Sequence, residues 1–336
     1  MIIIDGSIGG GQILRSSLTL SALAQKPFKM INIRGKRERS GLQHQHLTAV
    51  NAIAKICNAK VKGNVLHSHD LEFIPTKVVS GEYKFDIGTA GSTTLVLQTL
   101  LPPLIFAKEK STLEIGGGTA NPLAPPALDL KEVFLWHLNN LGIKISLEIE
   151  KEGFYPKGGG KIKVTINPCN ELKEIKLAES KHGYYEETKI IAVSSKDLEN
   201  REVCKRMIEG FKLNFPISYK TTKEEKYIET LNPGCYIHAN YQYNDCKLGM
   251  SVLGEKSKKA EDIGKECALK LLEEMKSGSN ADHFTADQLI IYMAIKGSGK
   301  IRVSEITDHM KTNMQVIEKF LDVKFIINEN IIECKK

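Results

Sequence analysis

A chain of 336 residues is longer than one hydrophobic core usually sustains, so two domains, or one domain carrying a large insert, are expected. Its 41% hydrophobic and 26% charged content is that of an ordinary globular protein, and a net charge of +7 permits a polyanionic partner without demanding one. Seven cysteines with no C-x-x-C pair argue against a disulfide frame or zinc knuckle, and the lack of a leader or a long apolar run predicts a cytoplasmic protein with no membrane partner.

Residues 2–4 read as a short buried strand, 12–24 as a helix and 28–33 as a strand. A helix of about 43–57 follows Gly41, and strands near 59–65 and 70–74 complete a β-α-β-α-β-β order. The order recurs as strand 83–87, helix 92–107, strand 112–115, a helix opened by Pro125 and Pro126 that runs to about 141, and strands near 144–149 and 161–167. A third copy reads as strand 172–177, helix about 285–296, strand 300–303, helix 313–321 and strands 323–326 and 331–334. Its first strand lies far upstream, which leaves an insert with strands near 185–193, 217–224, 234–241 and 246–253 and helices about 198–212 and 255–275. The fold class expected is α/β (α+β). Three β-α-β-α-β-β repeat units, about 1–79, 80–168, and 169–177 with 277–336, pack as one large catalytic domain, with residues 178–276 as a small α/β insert domain.

Four of the seven arginines, Arg15, Arg34, Arg37 and Arg39, fall early in the chain, and the other 40 basic residues are lysines. They surround a glycine loop, Gly9-Gly10-Gly11-Gln12, at the start of the first helix. Glycine lets backbone N–H groups approach a ligand, a helix start favours negative charge, and guanidinium grips phosphate oxygens in pairs. The local reading is phosphate. Gly-Gly-Gly recurs at 116–118 and 158–160, and Gly88–Ser92 is a further loop before a helix, but no Walker or G-x-G-x-x-G pattern is present. A solvated basic turn is the plain alternative for Arg34, Arg37 and Arg39.

Most histidines read as surface or packed groups: His67, His69, His182 and His238 lack an acidic or glycine context, and His137 lies in an apolar helix. His44 and His46 face the arginine cluster and are candidates for phosphate. No serine-hydrolase elbow or metal-binding histidine pair occurs. His309 sits in Thr307-Asp308-His309-Met310-Lys311-Thr312-Asn313, just before a helix capped by Thr312 or Asn313. A helix start welcomes phosphate and keeps an imidazole neutral, and neutral imidazole is a nucleophile toward phosphorus.

His309-x-x-Thr312-Asn313, the Gly9–Arg15 loop and helix, Arg34–His46, Gly88–Gln98, Gly117–Pro126 and the segment Gly153-Phe154-Tyr155-Pro156-Lys157-Gly158-Gly159-Gly160 together resemble the RNA 3′-terminal phosphate cyclase family, nearly end to end. The resemblance implies an α/β fold of three repeats with a small insert. It also implies ATP-dependent conversion of an RNA 3′-phosphate end to a 2′,3′-cyclic phosphate, releasing AMP and diphosphate. The implied route is a covalent histidine–AMP on His309, then an RNA-ppA end, then attack by the 2′-hydroxyl. Pro125 and Phe284 match the positions that sandwich adenine; Gln98 and the segment Phe284-Thr285-Ala286-Asp287-Gln288 match nucleotide contacts. Arg15, Arg34, Arg37 and Gln45, with Gly10 and Gly11, fall where phosphate or RNA is gripped. The resemblance also implies Mg²⁺ or Mn²⁺, yet the glutamate that relatives carry in the first loop is absent, and Asp5 is the only carboxylate nearby.

Two other readings stand beside it. A branch of the family binds RNA in ribosomal RNA processing without catalysis; such members lack the histidine matching His309. The enolpyruvyl transferases share the inverted α/β repeat but are longer and use Lys, Arg and acidic residues. The physiological RNA and the oligomeric state stay open.

Overall fold

The computed structural model describes residues 1–7, 9–178, 185–216 and 220–336. Ile8 of the first loop, His182 and the start of the strand expected near 217–224 lie outside the described residues.

In chain order, β1 (Ile2–Asp5), α1 (Gly11–Ala24), β2 (Phe28–Ile31), α2 (His44–Ile56), β3 (Lys60–Lys62) and β4 (Leu71–Ile74) come first. Then come β5 (Glu82–Asp86), α3 (Thr93–Ile105), β6 (Ser111–Gly117) and a helix that starts as α4 (Ala127–Asp129), passes through a π-helical stretch (Leu130–Phe134) and ends as α5 (Leu135–Asn140). Strands β7 (Ile145–Lys151), β8 (Gly160–Ile166) and β9 (Ile175–Lys176) follow. Next are β10 (Tyr185–Ser195), a 3-10 turn (Lys196–Arg201), α6 (Val203–Lys212), β11 (Thr221–Ile228), β12 (Cys235–Tyr243), β13 (Cys246–Leu253) and α7 (Ala260–Lys276). The chain closes with α8 (His283–Lys296), β14 (Ser298–Arg302), α9 (Asp308–Phe320), β15 (Lys324–Asn328) and β16 (Ile331–Lys335).

Among the described residues the strands form four four-stranded sheets: β1-β2-β4-β3, β5-β6-β8-β7, β9-β14-β16-β15 and β11-β10-β12-β13. In each of the first three, one parallel pair is followed by antiparallel neighbours. A parallel pair needs a crossover, and α1 and α3 supply it in the first two sheets. Between β9 and β14 the crossover includes everything from β10 to α8. Strand β6 alternates buried and half-buried residues along its length, as a sheet with one covered face must.

The helices meet at the centre, where α1 packs against α2, α3 and α9. Helix α3 is apolar almost all round and largely buried, as its central place requires. Pro103, in its last turn, has no N–H to offer the carbonyl of Thr99. The hydroxyl of Thr19 on α1 donates to that carbonyl instead, at 2.9 Å, which ties the two helices together. One apolar core runs through this assembly and includes Leu18, Phe28, Leu100, Ile290 and Phe320. A second core lies under the β10–β13 sheet, with Ile190, Phe211, Leu248 and Leu271. The opposite face of β10, through Ile191 and Val193, packs with Leu128, Phe154 and Tyr236 in a third cluster.

The expected elements shift in three places. Strand β9 holds two residues, not six. The helix after Pro126 is interrupted by the π-helical stretch. Helix α9 begins at Asp308 and not near 313, because Thr307 is the cap: its Oγ1 accepts the Met310 N–H at 3.1 Å, and Asp308 adds negative charge to the first turn.

Candidate active site

His309 therefore lies inside the first turn of α9 and not before it. Its side chain is about half exposed, and its Nδ1 is 2.9 Å from Asp287 Oδ2 on α8. A carboxylate can only accept, so Nδ1 carries the hydrogen and Nε2 keeps its lone pair. Asp287 is held in turn: Gln12 Nε2 donates to its two oxygens at 3.2 and 3.3 Å. Asn313, one turn beyond His309, donates Nδ2 to the Asp287 carbonyl at 3.2 Å and accepts from Ser16 Oγ at 2.7 Å through Oδ1. Three helix segments, the start of α1, the first turn of α8 and the start of α9, thus fix one imidazole.

The imidazole faces a cavity of about 1230 Å³, lined also by Asp287, Gln288, Phe284, Gln98, Pro125, Arg15 and Arg37. The Phe284 ring is half exposed. Gln98 Nε2 donates to Gln288 Oε1 at 2.7 Å, which bridges α3 to α8. Arg15 makes no hydrogen bond or ion pair to the described residues. Burial pulls its guanidinium down to about 10, with Asp287 opposing the shift, so it remains a cation at neutral pH. A partly buried guanidinium with five unpaired donors calls for an anion. The α1 start adds to this, since Gly10 gives it no side-chain cap and its first turn has no acid.

Other expected residues are placed differently. Thr285 and Ala286 are 1% and 0% exposed and do not line the cavity. Thr285 instead donates its hydroxyl to Asp282 Oδ2 at 2.9 Å, while Asp282 Oδ1 accepts the Thr285 N–H at 2.9 Å and caps α8. Gly10, Gly11, Arg34 and Gln45 also lie off the lining. A Cβ on Gly11 would sit 2.2 Å from His46 Nε2, and one on Gly10 would sit 3.1 Å from Arg37 Nη2. The two glycines admit these side chains to the helix start. Arg34 donates Nη1 to the carbonyls of Arg39 and of Gly41, the latter at 3.0 Å, and so folds its own loop. Gln45 Oε1 accepts the Ser92 N–H at 3.0 Å.

His46 was a candidate for phosphate, but it is 5% exposed and its Nδ1 accepts the Gln43 N–H at 3.3 Å. Burial drives its pKa down to about 3, with Arg15 and Arg34 adding to the shift, so the ring is neutral. His44 is exposed and away from the lining. His137 is buried, with Nε2 2.8 Å from the Lys247 carbonyl, a packed group as expected.

Sequence reasoning missed the pairing of His309 with Asp287, which are 22 residues apart on separate helices. It also missed Asp282, whose Oδ2 accepts the Gly249 N–H of β13 at 3.0 Å while its Oδ1 caps α8. Burial first, then Asp129 and Glu274, push that carboxyl up to about 7. Asn313 was legible: four residues after His309, it shares that helix face.

A model of the family described as RNA 3′-terminal phosphate cyclase matches residues 7–327. The chain belongs to the RNA 3′-terminal phosphate cyclase family. Relatives carrying that name include one from Pyrococcus furiosus, 41% identical over 99% of this chain and 97% of its own length. Another, from Sulfolobus acidocaldarius, is 42% identical over 96% of each chain, and one from Ectopseudomonas mendocina is 36% identical over 99% and 97%. Among solved structures, the enolpyruvyl transferase NikO from Streptomyces tendae aligns with 100% of this chain and 82% of its own at a TM-score of 0.30 and 9% identity, which carries no argument.

Proposed function

We propose that this cyclase converts an RNA 3′-phosphate end to a 2′,3′-cyclic phosphate at the expense of ATP, through a covalent AMP on His309. One observation carries the reading: an exposed imidazole, aligned by Asp287 at 2.9 Å, shares a cavity with Arg15, a cation that makes no hydrogen bond or ion pair among the described residues.

Nε2 of His309 attacks the α-phosphorus of ATP, the P–N bond forms and diphosphate leaves. Asp287 stabilises the positive charge that grows on the ring. Arg15 and Arg37 take phosphate charge, a large term in phosphoryl transfer. Phe284 and Pro125 hold the adenine between them, and Gln98 and Gln288 fix the nucleotide beside it. An oxygen of the RNA 3′-phosphate then attacks the same phosphorus and releases His309, giving RNA-ppA. Finally the neighbouring 2′-oxygen attacks the RNA phosphorus, AMP leaves, and the hydroxyl proton passes to solvent. That attack is intramolecular and gains an effective molarity on the order of 10⁵ M or more. Arg34, Gln45, Gly10 and Gly11 act on RNA or phosphate through the loops they shape.

The reading includes a division into a large domain, residues 1–177 with 277–336 in three repeats, and an insert, 178–276. The separate apolar cores support it. It also includes a cytoplasmic setting, which the seven free cysteines favour; among the described residues no helix is long and apolar enough to cross a membrane. For Mg²⁺ or Mn²⁺ the fit is poor, because no group of three or more His, Cys, Asp or Glu side chains gathers among the described residues. Asp5 Oδ1 is already engaged by the Ser7 N–H at 2.9 Å and by Asn32 Nδ2 at 3.3 Å.

The test is incubation with α-labelled ATP and Mg²⁺. Acid-labile label should appear on the protein and be absent in His309→Ala. An unlabelled wild type would favour an RNA-binding role without catalysis.

A further inference from the structure

The cavity has a rim that nucleotide chemistry does not occupy. Tyr155 and Leu123 both line it, and they are 68% and 100% exposed. Large side chains left in water forgo the stabilisation that burial would give them. The Tyr155 segment is nonetheless firmly seated. Asn232, in the loop between β11 and β12, donates Nδ2 to the Tyr155 carbonyl at 2.8 Å. Its Oδ1 accepts the Lys157 N–H at 3.3 Å. Both bonds go to backbone, so they hold the loop and leave the phenol ring free.

A second groove, of about 730 Å³, includes Lys157 of the same segment in its lining. Four lysines line it, together with glycine backbone and three acids. Lys84 and Lys161 are paired with Glu114, and Lys161 also with Glu150. Lys151 and Lys157 make no ion pair with the described residues. Tyr155 on the first groove and Lys157 on the second are two residues apart in one loop, so an exposed aromatic ring adjoins a groove that carries cations without an ion pair among the described residues. Single-stranded nucleic acid is bound by that combination, with base on ring and phosphate on ammonium. Protein interfaces are depleted of lysine at their core, whereas this groove carries four.

We propose that the RNA strand leaves the catalytic cavity across Tyr155, which stacks on a base near the reacting 3′ end, and that Lys157 and Lys151 take backbone phosphates in the second groove. This rests on the RNA-end reading of the cavity. Tyr155 is then a positioning residue for the RNA, with no part in the transfer of AMP.

The experiment is fluorescence anisotropy with 3′-phosphorylated oligoribonucleotides, a dinucleotide and a decanucleotide. Tyr155→Ala should weaken binding of both by about tenfold, the scale of one lost base–aromatic stack, while Tyr155→Phe binds as the wild type does. Lys157→Ala should weaken only the longer strand and flatten its salt dependence. In turnover, the KM for RNA should rise in Tyr155→Ala more than kcat falls. Equal binding by Tyr155→Ala and wild type, with wild type still labelled by ATP, overturns the stacking platform and leaves the proposed function standing. A wild type that neither takes label nor binds RNA removes both.

Discussion

At the scale of single residues, the tautomer of one imidazole matters most. Asp287→Asn keeps the shape but presents an NH₂ where two donors, Gln12 Nε2 and His309 Nδ1–H, now converge. Whichever way the amide turns, its NH₂ faces one of these donors, and the ring loses the charge that supports its cationic form. Single-turnover labelling by ATP should slow by about 10² or more. A wild-type rate in the variant would show that Asp287 does not orient His309 for the proposed attack. His46 gives a pH signature of a different kind. Its folded pKa of about 3 lies below the ordinary 6.5, so the unfolded chain binds the extra proton. Its contribution is complete above about pH 6.5 and is lost as pH falls toward 3, by up to about 1.4 kcal/mol per unit. Buried His137, pulled to about 4, acts in the same sense, whereas Asp282, pushed up to about 7, acts in the opposite sense across its own window. Comparing His46→Gln with wild type isolates the first of these. Urea midpoints of the variant should fall less between pH 7 and pH 4.5; equal falls would refute the assignment.

At the scale of elements, helix starts decide where the chemistry sits. Thr307 places His309 within α9, and Asp282 places Asp287 within α8. Asp282 has a second task, because its other oxygen holds Gly249 on β13, and this joins the α8 cap to the inserted sheet. Asp282→Ala removes a cap and strands a buried N–H, at a cost of about 2–4 kcal/mol. Denaturant unfolding monitored by far-UV circular dichroism measures it, and a loss below about 0.5 kcal/mol would show that neither bond is needed. The early start of α9 illustrates a limit of pattern reading. The sequence pointed to Thr312 or Asn313 as the cap, whereas Thr307 caps the helix and Asn313, inside it, bonds to Ser16 and Asp287 on other helices.

At the scale of the whole molecule, the cavity is lined from α1, α3, α8 and α9 and from the start of β12 and the end of β13, so no single segment owns it. The described residues gather no metal-ligand cluster, and the proposed ATP chemistry is expected to bring its divalent ion on the nucleotide's phosphates. Excess chelator should abolish labelling, and the Mg²⁺ concentration that restores half of it should move with the ATP concentration. Undiminished labelling in chelator, or saturable Mg²⁺ binding by calorimetry without nucleotide, would contradict this. Much was legible beforehand. The β-α-β-α-β-β order of the first two units and the arginine and glycine start follow from local periodicity, turn chemistry and spacing, which are properties of neighbours along the chain, whereas the role proposed for His309 came from the family resemblance and not from its local context. What tertiary structure alone decided is who meets whom. Asp287 reaches His309 from another helix, Arg15 keeps its donors open while Arg34 turns its own upon its loop, and burial makes His46 neutral. These are consequences of distance in space and of desolvation, and neither is written in the order of residues.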